Sequence, residues 1–169
     1  MLERLWNKAH YFLYRADYRL GLWIVRISGL ALLLKLPPIK RFYQKRQRDP
    51  LKEFDDFMLG DEVGSSDMWA GMHVHALIVV LCMGFVCLYI GAFRIRFTMS
   101  VWPFVVSGIV SIAVNYLFLF GRDKYLTYFK EFDKTRGADR RKLLLTGSEI
   151  VLGILLFGVA SCAFMVYRL

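Results

Sequence analysis

The chain has 169 residues, which gives room for one domain or at most two. Hydrophobic residues make up 57% of it and charged residues 22%, so the charges must be separated from long apolar segments. This composition excludes an intrinsically disordered chain and a disulfide-stabilised scaffold, and it indicates an integral membrane protein. The net charge of +9 is unevenly spread, since 12 of the 23 Lys and Arg residues lie within residues 1–54.

Residues 1–36 are predicted to form one amphipathic, cationic helix, because two opposite faces keep helical register. One face carries the stripe Arg4, Lys8, Tyr11, Arg15, Arg19, Leu22 and Arg26. The other face carries Leu2, Trp6, Ala9, Leu13, Ala16, Leu20, Ile24, Ile27, Ala31 and Leu34. Such a helix suits the headgroup layer of an anionic leaflet. A membrane span over residues 20–36 is the alternative, and it is disfavoured by Arg26, by Lys35 and by the helix-ending Pro37-Pro38.

Three roles are open for the cationic stripe. It can be a solvated or headgroup-facing surface, or it can line a positively charged vestibule when several copies surround a symmetry axis. Nucleic-acid binding is a third and weaker interpretation, suggested by Lys and Arg alternating with Tyr and Trp.

Residues 37–68 are predicted to form a cytoplasmic connector. It begins with a basic segment over residues 40–48, and Asp49-Pro50 then favours the start of a short helix that Gly60 ends.

Residues 69–169 are predicted to form the transmembrane domain. Spans are expected over about 69–93, 98–121 and 143–167, because these segments lack Lys and Arg for the length that a bilayer requires. With the N-terminus in the cytoplasm, 20 Lys and Arg residues lie inside and only Arg94, Arg96 and Arg168 lie outside. The positive-inside rule therefore predicts a cytoplasmic N-terminus and an external C-terminus. The membrane is expected to be a bacterial inner membrane.

The second span is expected to continue as a helix to about residue 135, beyond the membrane. Tyr125, Tyr128, Phe129 and Phe132 recur at helical spacing in this extension, so their aromatic face must be covered by another helix or another subunit.

Four polar residues within the spans fall at one depth, about 6–9 Å below the cytoplasmic interface at 1.5 Å per helical residue. They are His73, His75, Asn115 and Glu149. A carboxylate is unfavourable in hydrocarbon, so we expect Glu149 to pair with His75 or His73, with Asn115 bridging them. The layer is either a structural clamp between helices or a gate on an ion path. A metal site is not expected, because His73 and His75 point to different helix faces.

No nucleophile triad, phosphate loop or CxxC motif is present, and no cofactor is expected. Arg4 and His10 form an Arg-x5-His pattern similar to the motif of HEPN ribonucleases. With its size and layout, the chain resembles the small membrane accessory proteins of subtype VI-B CRISPR systems. This resemblance implies a homo-oligomeric pore that enhances antiviral defence by depolarising the membrane. Both motif residues lie on an amphipathic helix without a soluble HEPN bundle, so an enzyme is not expected.

The sequence thus predicts an all-α integral membrane protein with three transmembrane helices, an N-terminal amphipathic helix and cytoplasmic helical extensions. The leading functional prediction is a homo-oligomeric pore or membrane-perturbing effector, whose partners are its own copies and anionic lipid headgroups. The alternative is a structural or adaptor subunit of a larger membrane complex.

Overall fold

The computed structural model describes residues 1–27, 36–38, 41, 65–95 and 100–168. The regular elements in these ranges are all helices. They are α1 (Leu2–Ile27), α2 (Ser65–Phe93), α3 (Trp102–Asn115), a π-helical segment (Tyr116–Phe120), a 3₁₀ turn (Gly121–Asp123), α4 (Lys124–Lys134) and α5 (Gly137–Arg168). The predicted connector helix near residues 50–59 and the end of the predicted N-terminal helix lie outside the described residues.

Three stretches of helix are long and apolar enough to cross a membrane: Ser66–Phe93, Trp102–Lys134 and Gly137–Arg168. The predicted all-α fold with three helices of membrane-crossing length is confirmed to this extent. α5 begins six residues before the predicted span, because the polar segment before Leu143 continues the same helix. Asp139 in its first turn favours this earlier start by interacting with the positive end of the helix dipole.

The expected continuous helix from residue 98 to about 135 is interrupted, which corrects the sequence-based prediction. After α3 the backbone widens into the π-helical segment, and the N–H group of Gly121 donates to the carbonyl of Tyr116. A Cβ atom at position 121 would lie 2.6 Å from that carbonyl oxygen, so this approach requires glycine. Arg122 and Asp123 then adopt left-handed conformations with φ of 61° and 52°, and α4 starts in a new direction.

The chain forms two compact units. The first comprises Met1–Phe12 together with Met72–Leu169, and the second comprises Leu13–Gly71. In the second unit, the described part of α1 exposes four large apolar side chains, namely those of Leu20, Trp23, Ile24 and Ile27.

Within the first unit, α2 and α5 pack closely at small residues. A Cβ atom at Gly158 would lie 2.6 Å from Val80 Cγ1, and one at Gly91 would lie 3.0 Å from the Cα atom of Met165. The residues of α1 that belong to this unit contact α5 in the same way, since a Cβ atom at Gly147 would lie 2.6 Å from the Lys8 carbonyl oxygen. These glycines set the distances between helices that position the site described next.

Candidate functional site

A buried polar cluster joins α2 to α3. Asn115 Nδ2 lies 2.9 Å from His75 Nδ1, and the Ser111 hydroxyl donates to the His75 carbonyl oxygen at 3.0 Å. Ser111 and Asn115 are buried, and His75 is partly exposed. Because a polar group without a partner is unfavourable in an apolar environment, these mutual hydrogen bonds hold the two helices at one register.

Trp6 of α1 completes the cluster and sets its hydrogen-bond directions. Its indole Nε1 lies 2.9 Å from Asn115 Oδ1, and an indole nitrogen can only donate. The amide oxygen of Asn115 therefore faces Trp6, and its amide nitrogen donates to His75 Nδ1. His75 then carries its ring hydrogen on Nε2, so a residue of α1 determines the tautomer of a histidine on α2.

The π-helical segment supplies the aromatic wall of the cluster. Phe120 stacks on the His75 ring with a centroid distance of 5.9 Å and an interplanar angle of 17°. The Asn7 side chain of α1 donates to the carbonyl oxygen of Phe118 at 2.9 Å, which provides a partner for the irregular backbone. Single π-helical turns of this kind are frequently found at functional sites.

His10 lies in an aromatic pocket that Phe120 also lines. Its ring centroid lies 6.1 Å from that of Phe120, 5.6 Å from that of Tyr125 and 5.1 Å from that of Phe129. Burial, with a smaller contribution from the charge of a protonated His75, lowers the pKa of His10 to about 3. His10 is therefore a neutral, packed side chain at physiological pH.

Polar contacts fasten α1 to α4. Tyr11 is fully buried and donates to the Asp133 carboxylate at 2.6 Å, and Arg4 forms an ion pair with Glu131. The Glu3 carboxylate accepts from Lys124 Nζ at 2.8 Å, and this hydrogen bond is the main reason that the pKa of Glu3 falls below its usual value. The aromatic face of α4, expected to need a cover, thus receives it from α1: Tyr11 packs edge-on against Phe129 and Phe132.

The structure brings together two of the four residues in the predicted polar layer, His75 and Asn115. His73 is exposed on α2, and Glu149 is exposed on α5. Glu149 has no hydrogen bond or ion pair with any residue that the structure describes. The expected Glu149–imidazole pair is therefore not formed, because the carboxylate faces outwards from the helix bundle while His75 bonds to Ser111 and Asn115.

The predicted vestibule residues divide into different environments. Tyr11 is buried against α4 in the protomer, whereas Arg4 is exposed and forms an ion pair with Glu131. Lys8 and Arg15 are partly exposed, and Arg15 lies over the Tyr14 ring at 5.7 Å. Arg19 is exposed, whereas the Arg26 side chain lies outside the described part of the chain.

Arg4 and His10, the residues of the HEPN-like pattern, do not form a shared site in the protomer. The Arg4 guanidinium is exposed and pairs with α4, whereas the His10 ring is buried among aromatic side chains. A ribonuclease site would need both groups at one accessible surface. Among the described residues there is also no group of three His, Cys, Asp or Glu side chains that could hold a metal ion.

Sequence reasoning missed Trp6, Ser111 and Phe120 as members of the cluster. Ser111 could have been found, because it lies one helical turn before Asn115 on the same face. The helical pattern places Trp6 on the apolar face, opposite the cationic stripe. A buried tryptophan nevertheless has an N–H group that needs an acceptor. The position of Phe120 depends on the π-helical segment, which has no reliable sequence signal.

Comparisons of the chain with known protein families, with curated proteins and with solved structures find no match.

Proposed function

We propose that this chain is a subunit of a homo-oligomeric membrane pore, in which Glu149 faces a polar surface formed by several copies. The observation that carries the proposal is the exposure of Glu149 in the apolar part of α5. It lies seven positions after Lys142, which corresponds to about 10 Å along a helix. A carboxyl group at that depth is unfavourable against lipid and stable against water or another protein surface.

The number of helices also favours assembly of several copies. Three helices cannot enclose a conduit, whereas a ring of identical subunits can do so around a symmetry axis. On the Glu149 face of α5, Gly153 has open space where a Cβ atom would be, and Ala160 is exposed. Small side chains of this kind allow a helix of a neighbouring copy to approach closely.

The membrane arrangement belongs to the same proposal. The N-terminus lies in the cytoplasm of a bacterium, the C-terminus lies outside the inner membrane, and α1 lies in the headgroup layer. The exposed Leu20, Trp23 and Ile24 side chains support this position of α1, as does its hydrogen bonding to α4 through residues 3–11. Lys8 is then close to anionic headgroups or to the cytoplasmic mouth of the pore, and Arg15 and Arg19 of the second unit can bind anionic headgroups.

In the cell, such a pore would act as an effector that depolarises the membrane, as the resemblance to CRISPR accessory membrane proteins implies. The burial of His10 favours this role over RNA cleavage. The relevant protein partner is a second copy of the chain, and no cofactor is part of the proposal.

The experiment is to purify the chain in detergent, measure its particle mass and record ion flux after reconstitution into liposomes. We expect a symmetric oligomer that conducts ions, and we expect E149Q to alter the preference for cations over anions. The matched control is D139N, which removes an exposed carboxylate from the first turn of the same helix. A monomeric particle that conducts no ions would contradict the proposal and favour the adaptor interpretation.

A further inference from the structure

Two thiols meet between α2 and α5, at the opposite end of these helices from the His75 cluster. The Sγ atoms of Cys87 and Cys162 lie 3.4 Å apart. Each residue is six positions before the end of its helix, so both lie about 9 Å from that end at 1.5 Å per residue.

Close helix packing on both sides holds these thiols together. On the N-terminal side of the two cysteines in both helices, a Cβ atom at Gly84 would lie 2.6 Å from the Phe157 ring and 3.5 Å from Ser161 Oγ. After the pair, a Cβ atom at Gly91 would lie 3.0 Å from the Met165 backbone. The two helices therefore cannot move apart at the thiols without also separating at these glycine contacts.

The separation is close to what a disulfide requires. An S–S bond is about 2.05 Å long, so the two Sγ atoms would have to approach each other by about 1.4 Å. The cysteines also differ in access: Cys162 is exposed on α5, whereas Cys87 is buried. A membrane-permeant oxidant would therefore reach Cys162 first, and Cys87 would be the second thiol to react.

We propose that Cys87 and Cys162 form an oxidisable thiol pair that converts to an intrachain disulfide and locks α2 to α5. The co-reactant is a small disulfide compound that can enter the apolar layer from the side outside the cytoplasm. The Cys162 thiolate attacks the disulfide, forms a mixed disulfide and releases one thiol. The Cys87 thiolate then attacks Cys162 Sγ and releases the second thiol, so the protein loses two protons and two electrons while the oxidant is reduced to two thiols.

This inference does not depend on pore formation, because it concerns contacts within one chain, but the side of the membrane from which the oxidant comes rests on the proposed orientation. The test treats the purified full-length protein with dithiodipyridine, an aromatic disulfide, and follows the intact mass and the modified peptides. Wild-type protein should carry a stable pyridylthio group only on Cys82, and its Cys87 and Cys162 peptides should be cross-linked with the loss of two hydrogens. Reduction with a dithiol should restore the original mass.

Two variants and one condition make the test specific. C87S should retain a stable pyridylthio group on Cys162, because no neighbouring thiol displaces it. C82S, altered on the same helix as Cys87, should still form the cross-link. Protein denatured before treatment should carry separate adducts on all three cysteines. Separate adducts on Cys87 and Cys162 in the folded protein, a cross-link between copies, or an unreacted Cys162 would each overturn the proposal.

Discussion

The hydrogen bond from Trp6 to Asn115 connects the N-terminal helix to the polar cluster between two apolar helices. Asn115 is fully buried and uses its side-chain oxygen for Trp6 and its nitrogen for His75. If the hydrogen-bonding group of Trp6 or of His75 is removed, one polar atom of the Asn115 side chain is left without a partner. A buried polar atom without a partner is more unfavourable than removal of the whole cluster. The cluster therefore depends on each of its members.

We predict that W6F lowers the stability of the protein by about 1 kcal/mol, because phenylalanine keeps the ring packing but has no N–H group for Asn115. Thermal unfolding in detergent measures this change. W102F is the control, since the Trp102 side chain is exposed at the start of α3. Nitrogen NMR of His75 should show Nε2 protonated in the wild type and a mixture of tautomers in W6F. Equal melting temperatures and an unchanged His75 spectrum would contradict the prediction.

The buried His10 ring should make the stability of the protein depend on pH. Its pKa is about 3 in the folded protein and about 6.5 in the unfolded chain, so the unfolded state binds a proton first as the pH falls. Stability should therefore decrease from pH 6.5 towards pH 3, and H10F should reduce this slope because phenylalanine fills the pocket without titrating. Melting temperatures across this pH range provide the test, with H73Q, altered at an exposed site, as the control. The same slope in H10F and wild-type protein would show that another group is responsible.

At the scale of elements, the position of α1 depends on its contact with α5 at Gly147. Its Cβ position lies 2.6 Å from the Lys8 carbonyl oxygen and 2.7 Å from Phe12 Cβ, so no side chain fits without moving a helix. α1 also donates a hydrogen bond to α4 through Tyr11 and accepts one from α4 through Glu3. α1 is thus held on two sides within the first unit.

G147V should displace α1 and lower the stability by about 1–3 kcal/mol, as expected for overpacking at a close helix contact. Amide hydrogen exchange over residues 2–12 should increase in the same variant. G108A is the matched control, because a Cβ atom there meets nothing within 4 Å and alanine favours the helix. If exchange in α1 is the same in G147V and G108A, the contact with α5 is not what holds this helix.

The same elements show what the sequence can and cannot predict. Long segments with almost no charged residues predict the three apolar helices, and aromatic residues at helical spacing predict that Phe129 and Phe132 are buried. Both predictions succeed because they depend on local sequence patterns. The depth of His75, Asn115 and Glu149 follows from counting residues. The rotation of each helix about its axis cannot be obtained by counting residues, because it depends on contacts between helices such as that of Gly158 with Val80. For that reason His75 and Asn115 meet, whereas Glu149, predicted at the same depth, faces away.

For the whole molecule, the distribution of charge predicts how the chain is oriented in a membrane. The described segment 122–142 joins two apolar helices and contains eight Lys and Arg residues. The connection between α2 and α3 contains only two Lys or Arg residues, Arg94 and Arg96. Transferring the first segment across the membrane is far less favourable than transferring the second, so the N-terminus should remain in the cytoplasm.

Labelling of single cysteines in intact cells tests this orientation, in a background where Cys82, Cys87 and Cys162 are serine. S100C, in the connection before α3, should react with a membrane-impermeant maleimide added outside. R136C, at the turn before α5, should react only after the inner membrane is permeabilised. Both positions are exposed, so the difference between them reports the side of the membrane and not burial. The reverse labelling pattern would place the N-terminus outside. It would also move the Cys87–Cys162 pair to the cytoplasmic half of the membrane, where thiols are kept reduced.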